Sequence, residues 1–179
     1  MLKFGKLIAK KLLNLKLTSL FMKKTLLTLA AAGALTFGFN EAKAQTPYKS
    51  ALGIVFDGYD GSNVGVQYKT ALTNTSALQL QAAFRNHWVS FGGDWQCEKA
   101  IPNADGLAWY AGVGAQVGLF SWDGDSDTYF GIRPQVGLEY RIPTIPIAMH
   151  LDYKPYLGLN NDSGFDGGGF TFGVKFVLK

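Results

Sequence analysis

Beyond residue 44 the chain alternates. Apolar residues trade places with polar or small ones at every second position in eight stretches, at 50–57, 63–69, 77–85, 88–98, 107–120, 130–142, 147–157 and 169–179. A period of two belongs to a β-strand, whose successive side chains point to opposite faces. Gly, Asp, Asn, Ser and Pro cluster between the stretches, as turns require. No stretch carries the 3.6-residue period of a helix, so the pattern predicts an all-β chain of eight antiparallel strands.

One face of each predicted strand is apolar. It carries Leu52, Ile54 and Phe56 in the first, Val64, Val66 and Tyr68 in the second, and Leu78, Leu80, Ala82 and Phe84 in the third. Val89, Phe91, Trp95 and Cys97 follow, then Trp109, Val113, Val117 and Leu119 in the fifth, Ile132, Val136, Leu138 and Tyr140 in the sixth, and Met149, Leu151 and Tyr153 in the seventh. The last strand adds Phe170, Phe172, Val174, Phe176 and Leu178. The opposite face is polar but rich in glycine: Gly112, Gly114, Gly118, Gly131, Gly137 and Gly173 all fall on it. A solvent-facing surface has no need of them, whereas a narrow lumen filled by long charged side chains does. Tyr68, Trp95, Trp109, Tyr140 and Phe176 gather near one end of the apolar band and Phe56, Phe84, Phe130 and Phe170 near the other, the two aromatic rims expected at two membrane interfaces. The stretches approach the 9–11 residues a tilted strand needs to cross a bilayer. The expectation is an eight-stranded antiparallel up-and-down transmembrane β-barrel with its apolar face on lipid. Pro134 and Pro155 interrupt it on the outward face, where a bulge would absorb them.

With both ends of the barrel domain in the periplasm, the outer loops fall at 58–62, 86–87, 121–127 and 158–168, and the inner turns at 70–76, 99–106 and 143–146. Residues 22–44 read as a signal peptide: Lys23 and Lys24, an apolar TLLTLAAAGALTFGF at 25–39, and the small-x-small site Ala42-Lys43-Ala44. Residues 1–21 place five lysines among Leu and Ile and read as sequence upstream of a true start at Met22; an extended n-region is the alternative. The barrel domain is then 45–179.

Charge looks different once the leader is set aside. The net charge of the 179 residues is +4, but residues 1–44 hold eight lysines against Glu41 alone, so 45–179 carries −3. No basic patch interleaved with aromatics remains there, which argues against nucleic acid as a partner. Cys97 is the only cysteine, so no internal disulfide is possible.

The candidate chemistry lies on the polar face. Arg133, Glu139, Arg141, Asp152 and Lys154 fall on two neighbouring strands, and Asp94 and Glu98 join them from the fourth. Arg85 and Lys175 are further candidates. Opposite charges in a narrow lumen neutralise one another, and an unpaired buried charge costs several kcal/mol, on the order of the penalties known for such groups. A network of paired charges is therefore expected. With the 143–146 turn centred between Thr144 and Ile145, Glu139 falls opposite His150 and Gly137 opposite Asp152, leaving room for Arg133, Arg141 or Lys175 to reach Asp152. His150 and Asp152 share a face, with Ser90 across the lumen, but no nucleophile elbow of the G-x-S-x-G kind accompanies them, so no catalytic residue is assigned. Asp123, Asp125 and Asp127 space three carboxylates as a Ca²⁺ loop begins, yet the later Glu of such a loop is missing; they are a weak metal signal that ordinary turn chemistry explains. Gly112-Val113-Gly114 lies inside a strand with no helix after it and makes no phosphate cradle, so no cofactor is called for.

The runs WYAGVGAQVG at 109–118, VGLEYRIPTIPIAMHLDYKP at 136–155 and FDGYDGSNVGVQYK at 56–69 resemble the small outer-membrane β-barrel domain proteins of the Bacteroidetes. The resemblance implies an outer-membrane location and the barrel fold, and no catalytic motif. The partners it implies are outer-membrane lipid, lipopolysaccharide and the barrel-assembly machinery, with a monomer as the working unit. The leading reading is a non-enzymatic barrel with a structural or surface-interaction role. The alternatives are a small channel, a lipid-modifying enzyme and a secreted barrel that binds an apolar ligand. Cleavage after Ala44 is expected to yield a mature chain that starts at Gln45; N-terminal mass analysis of the exported protein checks it, and retention of Lys43 would refute it.

Overall fold

Strands that are apolar on one face and polar on the other bury one face by curling the sheet on itself. The computed structural model describes residues 48–58, 63–160 and 164–178; the leader and its cleavage site lie outside them. The strands are β1 (Ser50–Asp57), β2 (Asn63–Ala71), β3 (Ser76–Arg85), β4 (Trp88–Ala100), β5 (Leu107–Trp122), β6 (Asp125–Arg141), β7 (Ile147–Tyr153), β8 (Tyr156–Gly158), β9 (Phe165–Asp166) and β10 (Phe170–Leu178). Every pairing is antiparallel. Neighbours in sequence pair in turn, and β1 meets β10, which closes the ring. β7 and β8 are two halves of one barrel strand, and β9 and β10 are two parts of the next: β9 pairs with β8 as β10 pairs with β7. The molecule is thus a closed, eight-stranded, all-antiparallel barrel with no helix among the described residues.

Closure sorts the side chains. Leu52, Val66, Leu138, Leu151 and Phe176 stand on the outside, with Leu151 and Phe176 each 56% exposed. Gln67, Lys69, Asp94, Glu139, Asp152 and Lys175 are buried inside. The usual arrangement of a water-soluble protein is inverted, and the apolar outer belt is continuous around the ring. The buried apolar cluster is small: Tyr48, Ala51, Ala148 and Val177, at the end of the barrel where β1 begins and β10 finishes.

The bulge expected at the prolines is present on one edge of Pro155 and absent on the other. β6 pairs with β7 up to Val136↔Tyr153 and resumes with β8 at Ile132↔Leu157 in the same register. The skipped positions set Pro134 opposite Pro155. Neither residue has an N–H to donate, and placing the two together leaves one gap in that ladder; on the other edge of Pro155 the register moves from Tyr153↔Phe170 to Tyr156↔Asp166, so one extra residue is inserted among Gly167, Gly168 and Gly169 as a bulge. On its other edge Pro134 still stands opposite Val113 in the β5–β6 ladder.

The expected outer loop at 121–127 is also corrected. The β5–β6 ladder continues through Ser121↔Ser126 and Trp122↔Asp125, and only Asp123 and Gly124 turn. Both have positive φ, 48° and 91°, as a two-residue type I′ hairpin requires, and Asp-Gly suits that turn. The result is a hairpin that projects past its neighbours, because β4 begins only at Trp88, opposite Phe120. The loop at 158–168 likewise contains a short strand, β9.

Leu151 sits in the middle of the outer belt, paired with Leu138. An arginine at the midplane of a lipid-facing surface costs about 2–4 kcal/mol. Leu151→Arg should lower stability by that order in a urea refolding titration into lipid vesicles, whereas Thr144→Arg, in an exposed turn, should change it little. Equal tolerance of the two would contradict the facing.

Candidate functional site

Alternation sends one residue in two from every strand into the lumen, and there they meet across the ring. At the end nearest Tyr48, Lys69 on β2 contacts Glu98 on β4 and lies 3.0 Å from Glu139 on β6. Lys175 on β10 contacts the same Glu139 and reaches Gln79 on β3 at 3.4 Å. The ammonium groups also rest on rings: Lys69 is 5.1 Å from the centre of Tyr110 and 5.6 Å from that of Tyr48, and Lys175 is 5.8 Å from Tyr48. Such cation–π contacts gain strength when desolvated.

Further along, Arg133 on β6 forks onto Asp94 on β4, with both oxygens at 2.9 Å, and its other arm donates to Gln116 at 2.9 Å. Asp57 lies 4.0 Å from the same guanidinium and accepts from Gln81 at 2.9 Å. Lys154 bridges Asp94 at 3.3 Å and Asp152 at 2.8 Å. A third group joins the two levels. Tyr110 donates its hydroxyl to Asp152 at 2.6 Å, Asp152 contacts His150, and the far nitrogen of His150 lies 2.9 Å from Gln67.

The sequence-assigned residues divide between the levels. Asp94, Arg133, Asp152 and Lys154 form one, and Glu98 and Glu139 belong to the other. Arg141 is half-buried at the end of β6, opposite Ala148. Glu139 does stand opposite His150, and Gly137 opposite Asp152. The expected occupants of that gap are wrong, however. A side chain at Gly137 would collide with the ring of Tyr110, and it is Tyr110, His150 and Lys154 that meet Asp152, not Arg133, Arg141 or Lys175. Lys69, Asp57, Gln67 and Tyr110 were missed. Lys69 and Gln67 alternate with Val66 and Tyr68, so their facing was legible, but their partners lie two to four staves away and no local pattern joins them.

Glycines on the lumen face do make room, though not all for charges. Gly92 accommodates the Arg133 guanidinium, Gly114 the Asp94 carboxylate, and Gly173 both His150 and Gln67. Gly118 and Gly131 instead lie beneath the rings of Trp88 and Tyr156, and Gly112 abuts the backbone at Trp95.

No hydrolase triad forms among the described residues. The second nitrogen of His150 is taken by Gln67, and Ser90 sits between Ala83 and Gly118 on neighbouring strands. Asp123, Asp125 and Asp127 are exposed at the projecting hairpin, and among the described residues no three of His, Cys, Asp or Glu are gathered to hold a metal ion.

No protein-family model matches the chain, and no curated protein matches it. Among solved structures it is similar to the crystal structure of the N-terminal β-barrel domain of Pseudomonas aeruginosa OprF, at 18% identity over 72% of this chain and 97% of that one, with a TM-score of 0.55. A weaker match, at 11% identity over 72% of this chain and 94% of the other and a TM-score of 0.44, is Neisserial surface protein A. The first likeness shows that the fold is that of a small outer-membrane barrel.

Removing one member of a dry buried pair leaves its partner uncompensated and costs about 3–5 kcal/mol. Asp94 holds both Arg133 and Lys154, so Asp94→Asn should lower refolding stability by up to that order. Gly92→Val should do the same by displacing the guanidinium, and the double variant Gly92→Val with Arg133→Ala should recover part of the loss. Strictly additive losses in the same urea titration would show that Gly92 does not act through Arg133.

Proposed function

We propose that this chain is a non-enzymatic outer-membrane barrel with a structural or surface-interaction role, its lumen closed by paired charges. One observation carries the reading: charged side chains from β1, β2, β4, β6, β7 and β10 meet each other across the lumen, while the outer face is an apolar belt. Eight strands leave an interior just wide enough for side chains, and here the interior is occupied by Lys69, Tyr110, Arg133 and their partners. A small channel is the alternative, but a conducting path would have to pass ions between pairs already joined at hydrogen-bonding distance. An enzyme reading lacks a serine or cysteine nucleophile at the His150–Asp152 contact among the described residues.

Outer-membrane residence is supported by the belt, the export signal read at 22–44 and the likeness of the fold to outer-membrane barrels. The Bacteroidetes type rests on the runs at 56–69, 109–118 and 136–155. Lipid and lipopolysaccharide would surround the belt, the barrel-assembly machinery would insert it, and a single copy closes its own ladder and needs no second chain.

Cell fractionation tests the location: the protein is expected in the outer-membrane pellet after carbonate washing, and recovery in the soluble fraction would refute it. Planar-bilayer recording tests closure: the purified barrel should give no steady conductance, and a persistent open level in the unaltered protein would overturn the closed lumen.

A further inference from the structure

The lumen-facing surface of the projecting hairpin is aromatic. Membrane-girdle aromatics such as Trp95 and Tyr140 face outward. Trp88, Phe120, Trp122 and Tyr129 instead occupy the positions that alternate into the lumen, at the end away from Tyr48. Two glycines leave room for rings on this face. Gly118 stands between Ser90 and Tyr129 in the ladders, and the ring of Trp88 lies over it to meet Tyr129 at 5.2 Å. Gly131 is covered in the same way by Tyr156. Above this pavement Trp122 is 56% exposed yet held in place by His87, whose ring it meets edge to face at 4.1 Å.

Charge on the same face is predominantly negative. Asp125 stands opposite Trp122 and Asp127 opposite Phe120, both exposed. Arg85, opposite Trp88, is the one fixed positive charge at this rim among the described residues. Beneath lie Arg133 and Lys154, each already engaged by aspartates. The other end of the same lumen shows what such a surface accepts. There Tyr48 and Tyr110 rings with Glu98 and Glu139 hold the ammonium groups of Lys69 and Lys175. The mouth repeats that composition, the exposed Trp122 and the half-buried Trp88 and Tyr129 rings standing on the same face as the exposed Asp125 and Asp127.

We propose that this mouth binds a small soluble organic cation, an alkylated ammonium group seated on Trp122 and Trp88 with Asp125 and Asp127 beside it. The negative ring faces attract a weakly hydrated cation, and the carboxylates supply charge complementarity. Because the rings face the lumen axis and not the lipid belt, the ligand is a solute and not a lipid headgroup. The proposal gives chemistry to the surface-interaction role proposed above and rests on it.

Calorimetric titration of the full barrel in maltoside micelles tests it, with choline as the probe and 3,3-dimethylbutan-1-ol as its uncharged isostere. Saturable choline binding is expected, at least about tenfold tighter than the isostere. Trp122→Ala and Asp127→Asn should each weaken it several-fold, and Arg85→Gln should strengthen it. Equal binding of the two probes, absence of saturable binding, or indifference to Asp127→Asn would overturn the site. Folding of each variant is verified by heat-dependent gel mobility, and outer-membrane retention is assayed separately. A folded, membrane-retained barrel that ignores choline therefore counts against the cation site alone.

Discussion

The closed ladder is the constraint on which the rest of this structure depends. Side chains such as Leu52, Val66, Leu138 and Leu151 make the outer face apolar, and in an apolar surround a strand N–H or C=O has no partner but another strand. An open sheet would leave two unmet edges. The β1–β10 pairing removes them, running from Ser50↔Leu178 to Asp57↔Thr171. The gap between Pro134 and Pro155 costs little because the two residues that cannot donate are set against each other and the register of that ladder holds on either side, while a one-residue bulge takes up the break on the other edge of Pro155.

Closure then dictates the interior. A ring of eight strands forces the inward residues of opposite staves together, and the inward residues here are polar and charged. Such groups are tolerable only if they satisfy one another. The lumen does this on two levels. Lys69, Lys175, Glu98 and Glu139 balance near Tyr48, while Arg133 and Lys154 share Asp94 further along. Tyr110 connects the levels, with its ring beneath Lys69 and its hydroxyl on Asp152. The glycines belong to the same logic. Gly92, Gly114 and Gly173 hold the space into which Arg133, Asp94 and His150 extend.

The two ends of the barrel differ for a related reason. At one, Tyr48, Ala51, Ala148 and Val177 pack together and the lysines are enclosed. At the other, β5 and β6 continue past their neighbours to the Asp123-Gly124 turn, and aromatic rings line the lumen side of the projection. Beyond the belt, the backbone of a two-stranded hairpin meets water, so its inner face is free to carry residues chosen for something other than closing the barrel.

Strand number, the direction each alternating side chain faces and the antiparallel order were legible in the sequence, because a period of two is a local property and short turns force neighbours to pair. The opposition of Glu139 to His150 and of Gly137 to Asp152 was legible for the same reason, since one four-residue turn sets it. Contacts between distant staves were not. Lys69 finds Glu139 and Tyr110 finds Asp152 only once closure brings β2 against β6 and β5 against β7, and no spacing along the chain encodes that. The hairpin at 121–127 looked like a loop because its Ser and Asp residues favour turns, while strand pairing in the folded molecule outweighs that weak local preference. Local periodicity therefore determined the barrel and its inside from its outside; which charges meet, which glycines they need and which rings line the mouth were decided by ring closure, since only it sets distances between residues far apart in the chain.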